Sequence, residues 1–369
     1  STPKIWHLTP SGSRQKGTEE GLSKPSPRRG EVLGHFVHID DGDFDERGRY
    51  GTTLKSIKET ASFVATNPDY QHLLFYAHGG LNDINASARR VAAMKEVFKS
   101  NGIYPFHFMY DTGLLEEIKD VVLGKKKEVD ARAAGFTDFT DKLIENATRP
   151  VGRAIWKEMK QGATSPFDDE GAGTQTIRAF LEAFAADDAL PKTVHIAGHS
   201  TGAILLANLL DALKRIEGAP RIRTCLLFAP ACTHDVFNKS YRPLLSKRSN
   251  DVFGIDRMKI YNLDSQLELD DTVTPLYRKS LLYLVSKSFE DVRGERILGM
   301  QTLRNRLGRL PGSPTFRFEI STGSTQRNVK TSATTHGGFD NDLATMNDVL
   351  KTVLRHNPVR KFEPGDLDY

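Results

Sequence analysis

The sequence predicts an α/β protein with a mostly parallel central sheet flanked by helices. Three observations carry that expectation. Short β-branched or alternating apolar runs recur along the chain, and helical patterns separate most of them. Strands that alternate with helices are joined by crossovers, which lay successive strands parallel. The composition, 38% hydrophobic and 27% charged, is that of a chain able to bury a sizeable core while remaining polar outside.

The elements follow in order. Residues 8–30 are rich in Ser, Gly, Pro, Lys and Arg and lack periodicity, so residues 1–32 are expected to form a flexible arm. Gly34 to Ile39 alternates as a strand does, and Asp40 to Gly48 reads as a turn into a second strand. Asp41, Asp43 and Asp45 resemble the start of a calcium loop. Glu46 stands where such a loop needs Gly, and Thr52 where it needs Glu, so no metal is expected. Leu54, Ile57, Ala61 and Val64 mark one face of a helix that stops at Asn67-Pro68. His72 to Ala77 is a strand, followed by a helix over about 86–100 and a strand over 104–110.

Residues 111–173 break this rhythm, with helical stripes and no strand. One stripe is Leu114, Ile118, Val121 and Val122. The other is Val151, Ala154, Ile155, Trp156 and Met159, after Pro150 in a position suited to a helix start. A long excursion between parallel strands is most easily placed above the sheet as a helical cap, the alternative being an extension of the helical layer. Strands at 193–197, 223–229, 258–263 and 316–320 follow, with helices at 276–288 and 343–354. Residues 33–110 and 174–357 would form the core, and 358–369 a tail.

Charge and cysteine usage narrow the partners. The net charge is only +4, and the densest basic clusters, Lys125-Lys126-Lys127 and residues 296–309, lack interleaved aromatics. They read as solvated surface, and no nucleic-acid partner is expected. No apolar run reaches the roughly 18 residues of a membrane span, so no integral membrane segment is expected. Ser1 to His7 shows no apolar run behind a basic start, and Cys225 and Cys232 are the only cysteines. Both observations fit a reducing, cytoplasmic setting without disulfides.

Chemistry concentrates at Gly198-His199-Ser200-Thr201-Gly202, a G-x-S-x-G between a β-branched run and a strong helix former. A sharp strand-to-helix turn strains its central residue, and glycines two positions away relieve the crowding. A serine hydroxyl needs a base, the base an orienting acid, and the oxyanion aimed donors. In the strand-turn-helix version the chain order is Ser, acid, His. Only His336 and His356 lie beyond the candidate acids. His336, in a polar glycine-rich loop after the last strand, is the expected base, whereas His356 fits a helix-end cation. His199 leaves the turn in another direction and is expected to pack near the nucleophile. For the acid, Asp271 is favoured because Val273 and Pro275 follow it in a turn, with Asp270 and Asp264 left open. The oxyanion donors are expected from Gly79, Gly80 or Leu81 after the strand at 72–77, and from the N–H of Thr201 at a helix start.

His78-Gly79-Gly80, the serine turn, Asp271-x-Val273-x-Pro275 and His336 together resemble the α/β-hydrolase superfamily, and look most like its esterases and lipases. The run from Arg223 to Ala231 is similar to that superfamily's strand after the nucleophile helix. The resemblance implies a serine hydrolase that forms an acyl-enzyme at Ser200 on a small-molecule ester, without cofactor or metal. The loop after the strand at 258–263 is longer and more acidic than the family pattern. Acyltransfer or thioester cleavage by the same residues, or a non-catalytic binding module on the same fold, are the alternatives.

Overall fold

The computed structural model describes residues 25–79, 83–110, 117–118, 120–122, 124, 137–245, 253–272 and 277–369. Leu114, Lys125 to Lys127, Val273 and Pro275 from the sequence reading lie outside the described residues, as do Gly80 and Leu81. The chain forms one eight-stranded sheet in the order β2-β1-β4-β3-β5-β6-β7-β8. The strands are β1 (Phe36–Asp40), β2 (Asp43–Phe44), β3 (His72–Ala77), β4 (Ile103–Tyr110), β5 (Thr193–His199), β6 (Ile222–Phe228), β7 (Met258–Leu263) and β8 (Phe316–Ser321). Only the β1–β2 hairpin is antiparallel among the described pairs.

Among the described helices are α1 (Leu54–Thr66), α2 (Ile84–Lys99), α3 (Thr137–Thr164), α4 (Ala172–Phe184), α5 (Gly202–Leu213), α6 (Ser265–Asp270) and α7 (Leu343–Leu354). Side chains alternate across a strand, so β3 feeds two cores. Leu73 and Phe75 pack with Ile57, Val64, Ile177 and Phe180 and with the apolar face of α5. Leu74 and Tyr76 pack on the opposite side with Met94, Phe98, Met346 and Val349. The sheet is therefore covered on both faces, which explains why its central strands are apolar at successive positions.

The described part of the 111–173 insertion is chiefly α3. Trp156, Met159 and Ala163 belong to the same apolar cluster as the sheet, and Asn208 of α5 donates to the Ala163 carbonyl at 3.0 Å. Its other neighbour is the turn at 285–289, approached so closely at Gly152 that an added Cβ would stand 2.3 Å from Phe289 Cδ1. Pro150 does not start a helix, as the sequence reading expected, but lies inside α3. The packing on both sides outweighs the lost backbone hydrogen bond, whose cost is about 3 kcal/mol.

Four further observations refine the sequence expectations. The helix expected at 276–288 is, where described, a short α segment Leu281–Leu284 continuing as a wider turn, Val285–Phe289. The acidic stretch after β7 is a capped helix, α6, because Asp264 accepts the Leu267 N–H at 2.8 Å. The end of the chain is docked: Phe362 and Leu367 join the second core cluster, and the Tyr369 hydroxyl donates to the Asp340 carbonyl at 3.1 Å. Within the expected arm, residues 29–32 form a helical turn with Val32 buried.

Candidate active site

At the end of β5 the backbone reverses into α5 at Ser200, whose φ of 53° lies in the left-handed region. Such a conformation costs on the order of 1–3 kcal/mol and persists only where neighbours enforce it. Here the Ser200 N–H donates to the Phe228 carbonyl at 2.9 Å, and the Ala231 N–H donates to the Ser200 carbonyl at 3.0 Å. The flanking glycines are required sterically. A Cβ on Gly202 would meet the Ala77 carbonyl oxygen at 2.2 Å, and one on Gly198 would meet Leu206 Cδ1 at 2.7 Å. The turn thus holds the hydroxyl at the carboxyl end of the sheet, buried to 1% exposure.

His336 begins the short turn His336–Gly338 after β8, and its Nε2 lies 2.8 Å from Ser200 Oγ. Burial, followed by the neighbouring His199, pushes its pKa down to about 3 against an opposing pull from Asp340. The ring is therefore neutral near pH 7 and able to accept a proton from the hydroxyl. Among the described residues its Nδ1 has no hydrogen-bond partner.

The three carboxylates weighed in the sequence reach different places. Asp271 comes to His336: its Oδ2 accepts the His336 main-chain N–H at 2.8 Å, and its Oδ1 accepts the Thr272 N–H at 2.8 Å. Burial raises its pKa and those two bonds oppose the rise. Its contact is thus with the main chain of His336, not with the ring. Asp264 is engaged as the α6 cap, and Asp270 is exposed and bonded to Gln266 at 2.9 Å.

On the other side of Ser200 stands Gly79, where an added Cβ would lie 3.1 Å from the Ser200 Cβ. Next to it the buried His78 ring stacks on Tyr110 with centroids 5.0 Å apart. Tyr110 Oη donates to the His78 carbonyl at 3.0 Å and lies 3.3 Å from the Thr201 hydroxyl. Strand ends β3, β4 and β5 are thereby tied together around the serine turn.

A buried ionic group behind His336 escaped the sequence reading. Arg90 Nε lies 2.8 Å from Asp340 Oδ2, Tyr76 Oη donates to the same oxygen at 2.9 Å, and His199 Nδ1 is 3.5 Å away. Burial would raise the Asp340 pKa, but Arg90, His199 and Tyr76 outweigh it and hold the carboxyl well below the usual range. His199 Nε2 in turn lies 2.8 Å from the His336 carbonyl oxygen. A signal existed: Arg90 falls on the buried stripe of α2 with Ser87, Val91 and Met94, where an unpartnered cation is too costly to stand.

Among the described residues no group of three His, Cys, Asp or Glu side chains is placed to hold a metal ion. Asp45, just after β2, instead faces His38 at 3.2 Å. No helix among the described residues is long and apolar enough to cross a membrane. No protein-family model matches the chain, and no curated protein matches it.

Proposed function

We propose that the protein is a serine hydrolase of the α/β-hydrolase type that cleaves a carboxylic ester through an acyl-enzyme on Ser200. The observation that carries this reading is the 2.8 Å contact between Ser200 Oγ and His336 Nε2 at a strained strand-to-helix turn. The mostly parallel eight-stranded sheet flanked by helices is consistent with that superfamily.

In this reading the neutral His336 takes the Ser200 proton as Oγ attacks the carbonyl carbon. The imidazolium then returns the proton to the leaving alkoxide, and water repeats the sequence to release the acid. Asp271 is the acid we assign, since its Oδ2 already holds the His336 main-chain N–H and, among the described residues, the ring Nδ1 of His336 has no partner. The oxyanion donors are assigned to the Gly79–Leu81 loop and to Thr201 at the start of α5. The helical cap over residues 111–173 belongs to the same reading.

Labelling with a fluorophosphonate tests it. Wild-type protein is expected to label, and Ser200→Ala and His336→Ala to lose labelling. Label that persists in Ser200→Ala would overturn the assignment. Rates on p-nitrophenyl esters of increasing acyl length then rank the acyl group.

A further inference from the structure

The base must be aimed at the hydroxyl, yet among the described residues its ring Nδ1 is without a partner. What fixes His336 is its main chain, held on one side by Asp271 at the N–H and on the other by His199 at the carbonyl. We propose that His199 is a positioning residue that, anchored by the buried Asp340–Arg90 pair, fixes the base relative to the nucleophile. The inference rests on reading Ser200 and His336 as nucleophile and base.

Three features of the geometry support it. His199 Nε2 faces a carbonyl oxygen, so it must carry the hydrogen of that 2.8 Å contact. Its Nδ1 comes within 3.5 Å of the Asp340 carboxylate, an ion pair that requires a proton on that nitrogen as well, and Asp340 is itself fixed by Arg90 and Tyr76. Finally, His199 is adjacent in the chain to Ser200. His199 is the last residue of β5, so one strand end presents the hydroxyl to the His336 ring and holds the His336 carbonyl. Asp340 lies four residues beyond His336 (HGGFD), and the short turn carrying the base is therefore clamped at both ends.

The test compares wild type, His199→Leu, His199→Gln and Asp340→Asn by fluorophosphonate labelling and p-nitrophenyl acetate hydrolysis. A glutamine amide can donate to the His336 carbonyl from the same position, and leucine cannot. His199→Leu is expected to lower kcat about 100-fold with little change in KM, as misplacement of a reacting group by about 1 Å does. Labelling should still run to completion, since the folded fraction is intact and only the rate falls. His199→Gln should recover to within about threefold of wild type, and Asp340→Asn should be slowed about tenfold, because the bond that aims the base is respectively kept and loosened.

A His199→Leu protein that labels at the wild-type rate overturns the positioning role while leaving the hydrolase reading intact. So does a loss that glutamine fails to repair, or one seen as an incomplete labelling endpoint. Wild-type protein with no Ser200-dependent labelling overturns the hydrolase reading and this inference with it.

Discussion

Ser200 adopts a left-handed backbone conformation because everything around it leaves no alternative, and its two glycine neighbours contribute unequally to that. The hypothetical Cβ at position 202 strikes backbone oxygen, whereas the one at 198 strikes the end of a leucine side chain. Backbone cannot retreat as a Leu206 methyl can. Gly202→Ala is therefore expected to destabilise the protein by roughly 3 kcal/mol or more and Gly198→Ala by about half of that, read as the order of their melting temperatures. The strand-to-helix turn and the approach of His336 to Ser200 were legible in the sequence because each depends on local pattern and chain order. The placement of the three carboxylates was only partly legible. Asp264, Asp270 and Asp271 lie within eight residues of one another, and a single helical cap decides which of them can reach the base.

That cap belongs to α6, and the helix carries a second consequence. Glu268 is buried and donated to by Ser280 Oγ. Burial, with Asp271 and Asp264 nearby, pushes its pKa from 4.5 up to about 8 against the Ser280 bond. A carboxyl raised on folding contributes its full stability below the unfolded value. As pH rises the unfolded chain ionises first, and that contribution drains away until the folded group also titrates. The wild-type melting temperature should thus fall relative to Glu268→Gln as pH rises from about 4.5 to about 8. A difference between the two proteins that is the same at both ends would contradict the buried acid. The sequence could not show this, because Gln266 to Asp271 reads as a solvated acidic loop until the cap closes it into a helix. In the same way α3 runs through Pro150 only because neighbours on two sides, α5 and the turn at 285–289, hold it straight.

Across the molecule, the sheet separates two apolar layers, and the ionic group of Arg90, Asp340 and Tyr76 sits within the second. It joins α2, β3 and the loop after β8, segments distant in sequence, and the docked Tyr369 ring lies 5.0 Å from the Arg90 guanidinium. Removing one partner leaves the other charge buried and unpaired. Arg90→Met is expected to cost about 3–5 kcal/mol, seen as a lower denaturant midpoint, and a change below about 1 kcal/mol would show that water reaches Asp340. The general architecture was legible from strand and helix alternation. This cross-link was not, since nothing local pairs a helix cation with an aspartate some 250 positions later.

The central claim is that Ser200 becomes acylated. Rapid acid quenching of p-nitrophenyl butyrate turnover, followed by mass spectrometry of the proteolysed protein, reads that directly. A butyryl group is expected on the peptide containing Ser200 in wild type and none there in Ser200→Ala. Turnover with the Ser200 peptide unmodified, or with the butyryl group on another side chain, would contradict it.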